Sequence, residues 1–332
     1  MKPKNSNGQQ GSERKKTAMS LNEFYEKELP LLADVVSFCN NLPVSLYADT
    51  TVVKSAETVF RGALLSQNRL VAEEYLLNFR RSEADLGVVI GTSNYRMPMA
   101  VAAAANRDLE ENEDDLIALP PSRNERAPIG PIIRSRRSQR HYSGEAVSLQ
   151  DLSTVLWHSA GVTGKLHLEN APDSAVLGNT GHVDLRANMS GGGLYPVDLF
   201  IVALNVEQLP AGSYRYLPKQ HALKPAGSGA APEVGKLAQF GEIQAQKASF
   251  LICYLYNFFE NSRKYGEAGL AFAFIEAGVI AAHAHLLCTT CGLGSCDVGS
   301  FSKRRLEQMF DADGISKHMI HMTVVGKLGT NA

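Results

Sequence analysis

The sequence predicts an α+β or α/β sandwich, and three observations carry that prediction. Short apolar runs of strand character, at residues 197–204, 213–216, 250–256 and 318–325, alternate loosely with stretches of helical periodicity. One helical stretch, at 149–156, carries its own start and stop signals. The composition, 44% hydrophobic and 20% charged over 332 residues, is that of an ordinary soluble globular chain, long enough for one large domain or two modest ones.

Taken in order, residues 1–18 are polar, with Lys2, Lys4, Arg14, Lys15 and Lys16 and no apolar h-region. They read as a disordered tail and not as a secretory signal. Residues 19–118 carry helical patterns, among them 71–79, and an Ala-rich run at 99–105, and predict a mainly helical region that could dock a partner or a peptide. An acidic stretch at 108–115 and the prolines Pro120, Pro121, Pro128 and Pro131 then punctuate the chain, which places a boundary before a second domain, 119–332. Within it, Ser148-Leu-Gln-Asp151 has the form of a capping box with Asp in place of Glu or Gln. Leu149, Leu152, Val155 and Leu156 follow at helical spacing, and Gly161 can stop the helix. Residues 197–204 and 213–216 read as strands around a turn at Pro210-Ala-Gly212, and 250–256 as a buried strand.

Residues 268–291 are apolar nearly all round and long enough to span a bilayer. Glu276 sits mid-segment, where an ionisable group costs roughly 2.5–3.5 kcal/mol on insertion scales. A helix in a protein core or a dimer interface is the better reading, with Gly292 as its stop. The formal net charge of −1 argues against a chain built to coat nucleic acid. Five cysteines, Cys39, Cys253, Cys288, Cys291 and Cys296, are an odd number and favour free thiols in a reducing cytoplasm. Three of them crowd into residues 288–296, but four-ligand zinc is not completed nearby, and buried core thiols are the simpler account. No Gly-x-Ser-x-Gly elbow or other Ser-His-Asp motif is visible.

Two stretches carry chemistry. Arg134-Ser-Arg-Arg-Ser-Gln-Arg-His-Tyr142 holds four arginines in seven residues before a helix, a set of planar donors suited to phosphate, although a solvated basic surface run looks the same in sequence. Arg186-Ala-Asn-Met-Ser-Gly-Gly-Gly-Leu-Tyr-Pro196 offers glycines that let a flat ligand approach the backbone, yet it is neither a Walker loop nor a GxGxxG fingerprint.

Together these stretches resemble the nitroreductase superfamily. Arg136-Arg-Ser-Gln-Arg140, with Tyr142 two places on, is similar to its Arg-Arg-Ser-x-Arg-x-aromatic opening, and Ser190-Gly-Gly-Gly-Leu-Tyr-Pro196 to an element of its SagB-type branch. Gly212-Ser-Tyr-Arg-Tyr216, His221-Ala-Leu223, Lys264-Tyr-Gly266, Glu276-Ala-Gly278 and Gly292-Leu-Gly-Ser295 follow in the order of that branch, over roughly residues 116–328. Two departures stand out: Ala282-His283 replaces a Gln-Asn pair, and Met189 replaces a Pro.

The resemblance implies an α+β nitroreductase-like fold: a central, mainly antiparallel sheet packed by helices, a long apolar dimer-interface helix, and an extra N-terminal helical region. It implies an FMN-binding homodimer without nucleic-acid or membrane partners. Arg136, Arg137, Ser138 and Arg140 would hold the FMN phosphate, ribityl chain and N1/O2 edge; Ser190, Gly191 and Gly192 would lie against the ring. Gly292 and Gly294 would sit near the flavin edge, and Lys327 could reach the phosphate. Lys264-Tyr265 is similar to a Lys-Tyr pair assigned to azoline oxidation, in which a base removes a Cα proton while flavin N5 accepts a hydride. A desolvated lysine could lose its proton near neutral pH, with the tyrosine as donor or relay. The implied function is oxidation of thiazoline or oxazoline rings to azoles in a ribosomally made precursor peptide, beside cyclodehydratase proteins. The alternatives are a generic NAD(P)H-dependent nitro or quinone reductase and a non-catalytic scaffold of a heterocycle-forming synthetase.

Overall fold

The apolar runs of the sequence form the centre of one antiparallel sheet in a computed structural model that describes residues 115–167, 182–227 and 243–329, with Tyr75, Ile90 and Leu237. Of the region 19–118 expected to be mainly helical, Tyr75 and Ile90, each helical, and residues 115–118, which carry a strand at Ile117–Ala118, are described; the rest of it and the tail lie outside the described residues. The chain divides into two units, Met1–Arg80 and Arg81–Ala332, and the elements below belong to the second. They are β1 Ile117–Ala118, α1 Ile129–Ser135, α2 Leu149–Ala160, β2 Val162–His167, β3 His182–Arg186, β4 Val197–Ala203, β5 Gly212–Leu217, β6 Ala222–Pro225, β7 Phe250–Asn257, α3 Phe258–Tyr265, α4 Ala268–Thr290, β8 Leu293–Val298, α5 Lys303–Met309 and β9 Lys317–Lys327.

The large sheet has the order β1-β6-β5-β4-β7-β9-β8 with every neighbouring pair antiparallel, so the mainly antiparallel sheet implied by the resemblance is present. A separate hairpin joins β2 to β3. The middle strands β4 and β7 are buried along their whole length. Their alternating side chains enter two cores: Leu199, Ile201, Ile252 and Tyr254 face α2 and α4, while Phe200, Val202, Leu251 and Cys253 face α5 and its neighbours. With both faces covered, such strands read as continuous apolar runs, because no position along them is left to water.

The helix at 149–160 forms for the reasons its sequence gives. The Ser148 hydroxyl accepts the Asp151 amide at 3.0 Å and donates to Asp151 Oδ2 at 2.7 Å, and Gly161 caps the far end. Leu152, Val155 and Leu156 are fully buried against the sheet; each such side chain contributes roughly 1.5–3 kcal/mol by leaving water. In α4, Ala273, Ala277, Ile280, Ala281, Ala284 and Cys288 make the buried stripe, and their small side chains bring the helix close to the sheet. Phe274 and Ile275 on other faces are exposed. This helix has the length and apolarity to span a membrane, but its stripe is packed on the sheet. It ends at Thr290, and Gly292 takes the left-handed φ of +70° that stops it, as expected.

Candidate active site

The arginine stretch lies between two helices: it leaves the end of α1 and, as expected, precedes α2. Pro131 enters the first turn of α1, where its missing N–H leaves no bond unmade, so the prolines open this helix instead of merely breaking the chain. Arg136 is the C-cap, and Arg137 Nη1 donates to the Arg134 and Arg136 carbonyls at 2.8 and 2.7 Å, a cation on the electronegative helix end. Residues 136–142 then run beside β8. Ser138 pairs with Ser295, and the Gln139 amide donates to the Ser295 carbonyl at 2.9 Å. Gly294 makes this approach possible, since a Cβ there would stand 3.0 Å from the Gln139 Cβ and 2.8 Å from Leu328. Tyr142 fastens the segment below: its buried hydroxyl donates to the Gln139 carbonyl at 2.7 Å, and burial pushes its acidity well down. Lys327 ends β9 opposite Leu293, with its amine 3.9 Å from the Glu145 carboxylate. The fold thus gathers Arg136, Arg137, Ser138, Arg140, Gly294 and Lys327 around the β8–β9 edge, with Gly292 one residue before β8.

A second group forms around the glycine turn. Gly191–Gly193 make a single 3-10 turn in which Gly192 adopts φ 65° and ψ 17°. Lys264 and Tyr265, half-buried in the last turn of α3, reach this turn: a Cβ on Gly192 would overlap Lys264 Nζ and lie 2.6 Å from the Tyr265 hydroxyl. Lys264 Nζ also sits 5.1 Å from the centre of the Tyr265 ring, and that ring packs edge-on against Phe272 at 5.0 Å. Met189, Ser190, Gly191, Tyr265, Phe272, Ile275 and Glu276 line a cavity of about 380 Å³, within the rough range of small-molecule sites.

Two features escaped the sequence reading. Glu276 stands in the sequence as a charge in an apolar helix and as part of the Glu276-Ala-Gly278 element, with no role attached; it is buried and accepts the Ser190 hydroxyl at 2.5 Å and the Val197 amide at 3.4 Å. Ser295, His285 and Asp297 form a hydrogen-bonded chain, His285 Nδ1 to Ser295 Oγ at 2.6 Å and His285 Nε2 to Asp297 Oδ1 at 2.9 Å. His321 Nε2 and the Thr323 hydroxyl also reach Asp297 Oδ1, at 3.2 and 2.7 Å. Burial pushes the Asp297 carboxyl up, but hydrogen bonds from His285 and His321, helped by the His285 charge and by Thr323, hold it well below the usual carboxylate range. No spacing signal announces this set, because α4, β8 and β9 assemble it. Ser295 is buried, and its hydroxyl is the hydrogen-bond partner of His285. Cys253, Cys288 and Cys296 are buried free thiols, and Cys291 is half-buried.

The nitroreductase family matches residues 133–327, which is more than half of the chain. A protein of Methanocaldococcus jannaschii designated a nitroreductase, MJ1384, is 25% identical over 181 residues, covering 54% of this chain and 81% of that protein. A crystal structure from Ralstonia eutropha, also designated a nitroreductase, shares 23% identity with a TM-score of 0.50, covering 66% of this chain and 92% of its own. The E. coli microcin synthetase McbBCD complex with truncated pro-MccB17 bound aligns over 94% of this chain and 98% of the matched one, at 17% identity and a TM-score of 0.46. Family members are typically dimers, and their cofactor is FMN. By its matched residues and its antiparallel sheet, the chain belongs to the nitroreductase family of FMN-dependent oxidoreductases.

Proposed function

We propose that this oxidoreductase converts azoline rings of a ribosomally made peptide to azoles, with Lys264 and Tyr265 as its catalytic pair. The observation that carries the reading is the convergence of the Lys264 amine and the Tyr265 hydroxyl on Gly192 beside the cavity. The resemblance of Lys264-Tyr265 to the SagB-type pair points the same way.

FMN fits the residues present. The Ser190–Gly192 backbone is open to a flat ring: a Cβ on Gly191 would meet Phe272 at 3.4 Å and Tyr265 at 3.6 Å and would narrow the cavity that the glycine leaves. Arg134, Arg137 and Arg140 are exposed, and Arg136 is half-buried, beside Ser138, the donor set a phosphate takes. We assign Arg136, Arg137, Ser138, Arg140, Gly292, Gly294 and Lys327 to the phosphate, ribityl and edge contacts, and Ser190, Gly191 and Gly192 to the ring. When bound, FMN supplies the two-electron acceptor for the carbon–hydrogen bond broken at the ring carbon next to Cα.

The protein's own residues handle the accompanying proton. The Lys264 amine takes it from Cα, and the Tyr265 hydroxyl donates or relays; loss of one proton and one hydride turns azoline to azole. Phe272 and Ile275 give one side of the cavity an apolar lining. The exposed Phe274, Ile275 and Met189 near it support a homodimer whose second copy covers this side. The region 19–118 and the synthetase partners belong to the same proposal, the region serving to dock peptide or cyclodehydratase.

The test is an azoline peptide incubated with FMN-loaded wild type, Lys264→Ala and Tyr265→Phe. Loss of two hydrogens in wild type, with turnover falling on the order of 10²-fold or more in Lys264→Ala, is the expected result. Normal turnover in Lys264→Ala would end the assigned role. Rapid reduction of the flavin by NAD(P)H with the peptide untouched would favour a general nitro or quinone reductase.

A further inference from the structure

We propose that Glu276 is a positioning residue of the flavin site: it holds the Ser190–Gly192 turn where Lys264 and Tyr265 meet it. This rests on the reading that the turn lies against FMN. Ser190 Oγ already accepts the Tyr195 amide at 2.8 Å, so the single hydroxyl hydrogen is free to go to Glu276 Oε2, at 2.5 Å. The other carboxylate oxygen takes the Val197 amide, at the first residue of β4. Glu276 therefore grips the turn before its glycines and again just after them.

Packing cannot do the same work. Gly191 and Gly192 are exposed, Gly193 is half-buried, and no side chain of the three glycines can be packed; the first buried side chain, Leu194, comes after them. Its conformation is demanding all the same, with left-handed φ at Gly192 and Gly193 and at Tyr195, a non-glycine, at 49°. Hydrogen bonds must fix what side-chain contacts do not. The carboxylate lies among the buried Ala273, Ala277 and Ile280 on α4, where an apolar residue would join the stripe without the desolvation that a buried charge brings. A purely structural anchor between α4 and β4 would matter for folding and not for flavin. A positioning residue matters for flavin in a protein that is already folded.

The experiment is a double-variant cycle on the full chain with Glu276→Gln, Ser190→Ala and both, reading the FMN dissociation constant by fluorescence quenching and folding by thermal melt. Each single variant is expected to weaken FMN about tenfold, and the pair no more than about twofold beyond the weaker single, because both changes cut one linkage. Unchanged FMN affinity in the singles, or a multiplicative loss of about a hundredfold in the pair, overturns the proposal. If Glu276→Gln does not fold, Ser190→Ala decides by amide exchange at Gly191, Gly192 and Gly193 without FMN. Exchange about tenfold faster supports the linkage, and unchanged exchange sinks it. FMN titration needs no peptide: a wild type that binds FMN but leaves azolines untouched overturns the substrate reading and leaves this cycle intact.

Discussion

Gly192 and Gly193 offer a matched pair of perturbations. Both sit at left-handed φ, 65° and 67°, so an alanine at either position is strained by about 1–2 kcal/mol. For a domain of this size that is a fall in Tm of roughly 2–8 °C for each variant. Their surroundings differ. A Cβ on Gly193 meets nothing within 4 Å, whereas one on Gly192 overlaps Lys264 Nζ and stands 2.6 Å from the Tyr265 hydroxyl. These two atoms are the far ends of flexible side chains, so Gly192→Ala is relieved by swinging them aside and not by unfolding the turn. A displacement of about 1 Å at a reacting group costs on the order of 10²-fold in rate. Gly192→Ala and Gly193→Ala should therefore melt within about 2 °C of each other, while only Gly192→Ala loses azole formation by about two orders of magnitude. Scanning fluorimetry and mass-spectrometric turnover on FMN-loaded protein measure both quantities. Equal turnover in the two variants would refute the placement of Lys264 and Tyr265 as the groups that act at this turn.

Three further outcomes follow from the phosphate-side group and from the Asp297 network. Gly294→Ala puts a Cβ against Gln139 and Leu328 and should push the arginine segment off β8, weakening FMN about tenfold or more by fluorescence titration; unchanged affinity would disconnect that edge from the flavin. Tyr142→Phe removes the buried hydroxyl that holds the Gln139 carbonyl and should cost about 1–2 kcal/mol, read as a lower Tm with the far-ultraviolet spectrum retained. The Asp297 carboxyl is depressed in the folded chain, so its contribution is present above the unfolded value near 3.9 and is lost as pH falls below that. Melts between about pH 6 and pH 3 should fall more steeply for wild type than for Asp297→Asn, modestly because the side chain is 41% exposed; parallel curves would show that the histidines do not hold the ionised form.

What could be read in advance was whatever the chain decides locally. The helix at Leu149–Ala160 announces itself because Ser148, Asp151 and the apolar spacing all act within a few residues of one another. Strands β4 and β7 show because burial on both faces leaves unbroken apolar runs. By contrast β8, Leu-Gly-Ser-Cys-Asp-Val, is short and broken up by Gly, Ser and Asp, and only its pairing with β9, some twenty residues onward, makes it a strand. The hairpin of β2 and β3 likewise depends on a partner strand and was not foreseen. The same division runs through the site. Lys264, Tyr265 and the glycines could be named from motif order, but their meeting is tertiary: the turn arrives from the start of β4, the pair from the end of α3 and Glu276 from the middle of α4. Glu276 shows the difference most sharply. In sequence it is a charge that counts against a membrane span and one member of a motif with no role attached; beside Ser190, 86 residues away, the same charge has a hydroxyl and an amide to hold. A buried carboxylate on an apolar helix is thus legible as an anomaly from the chain alone, and its use becomes visible only when the fold supplies the donor.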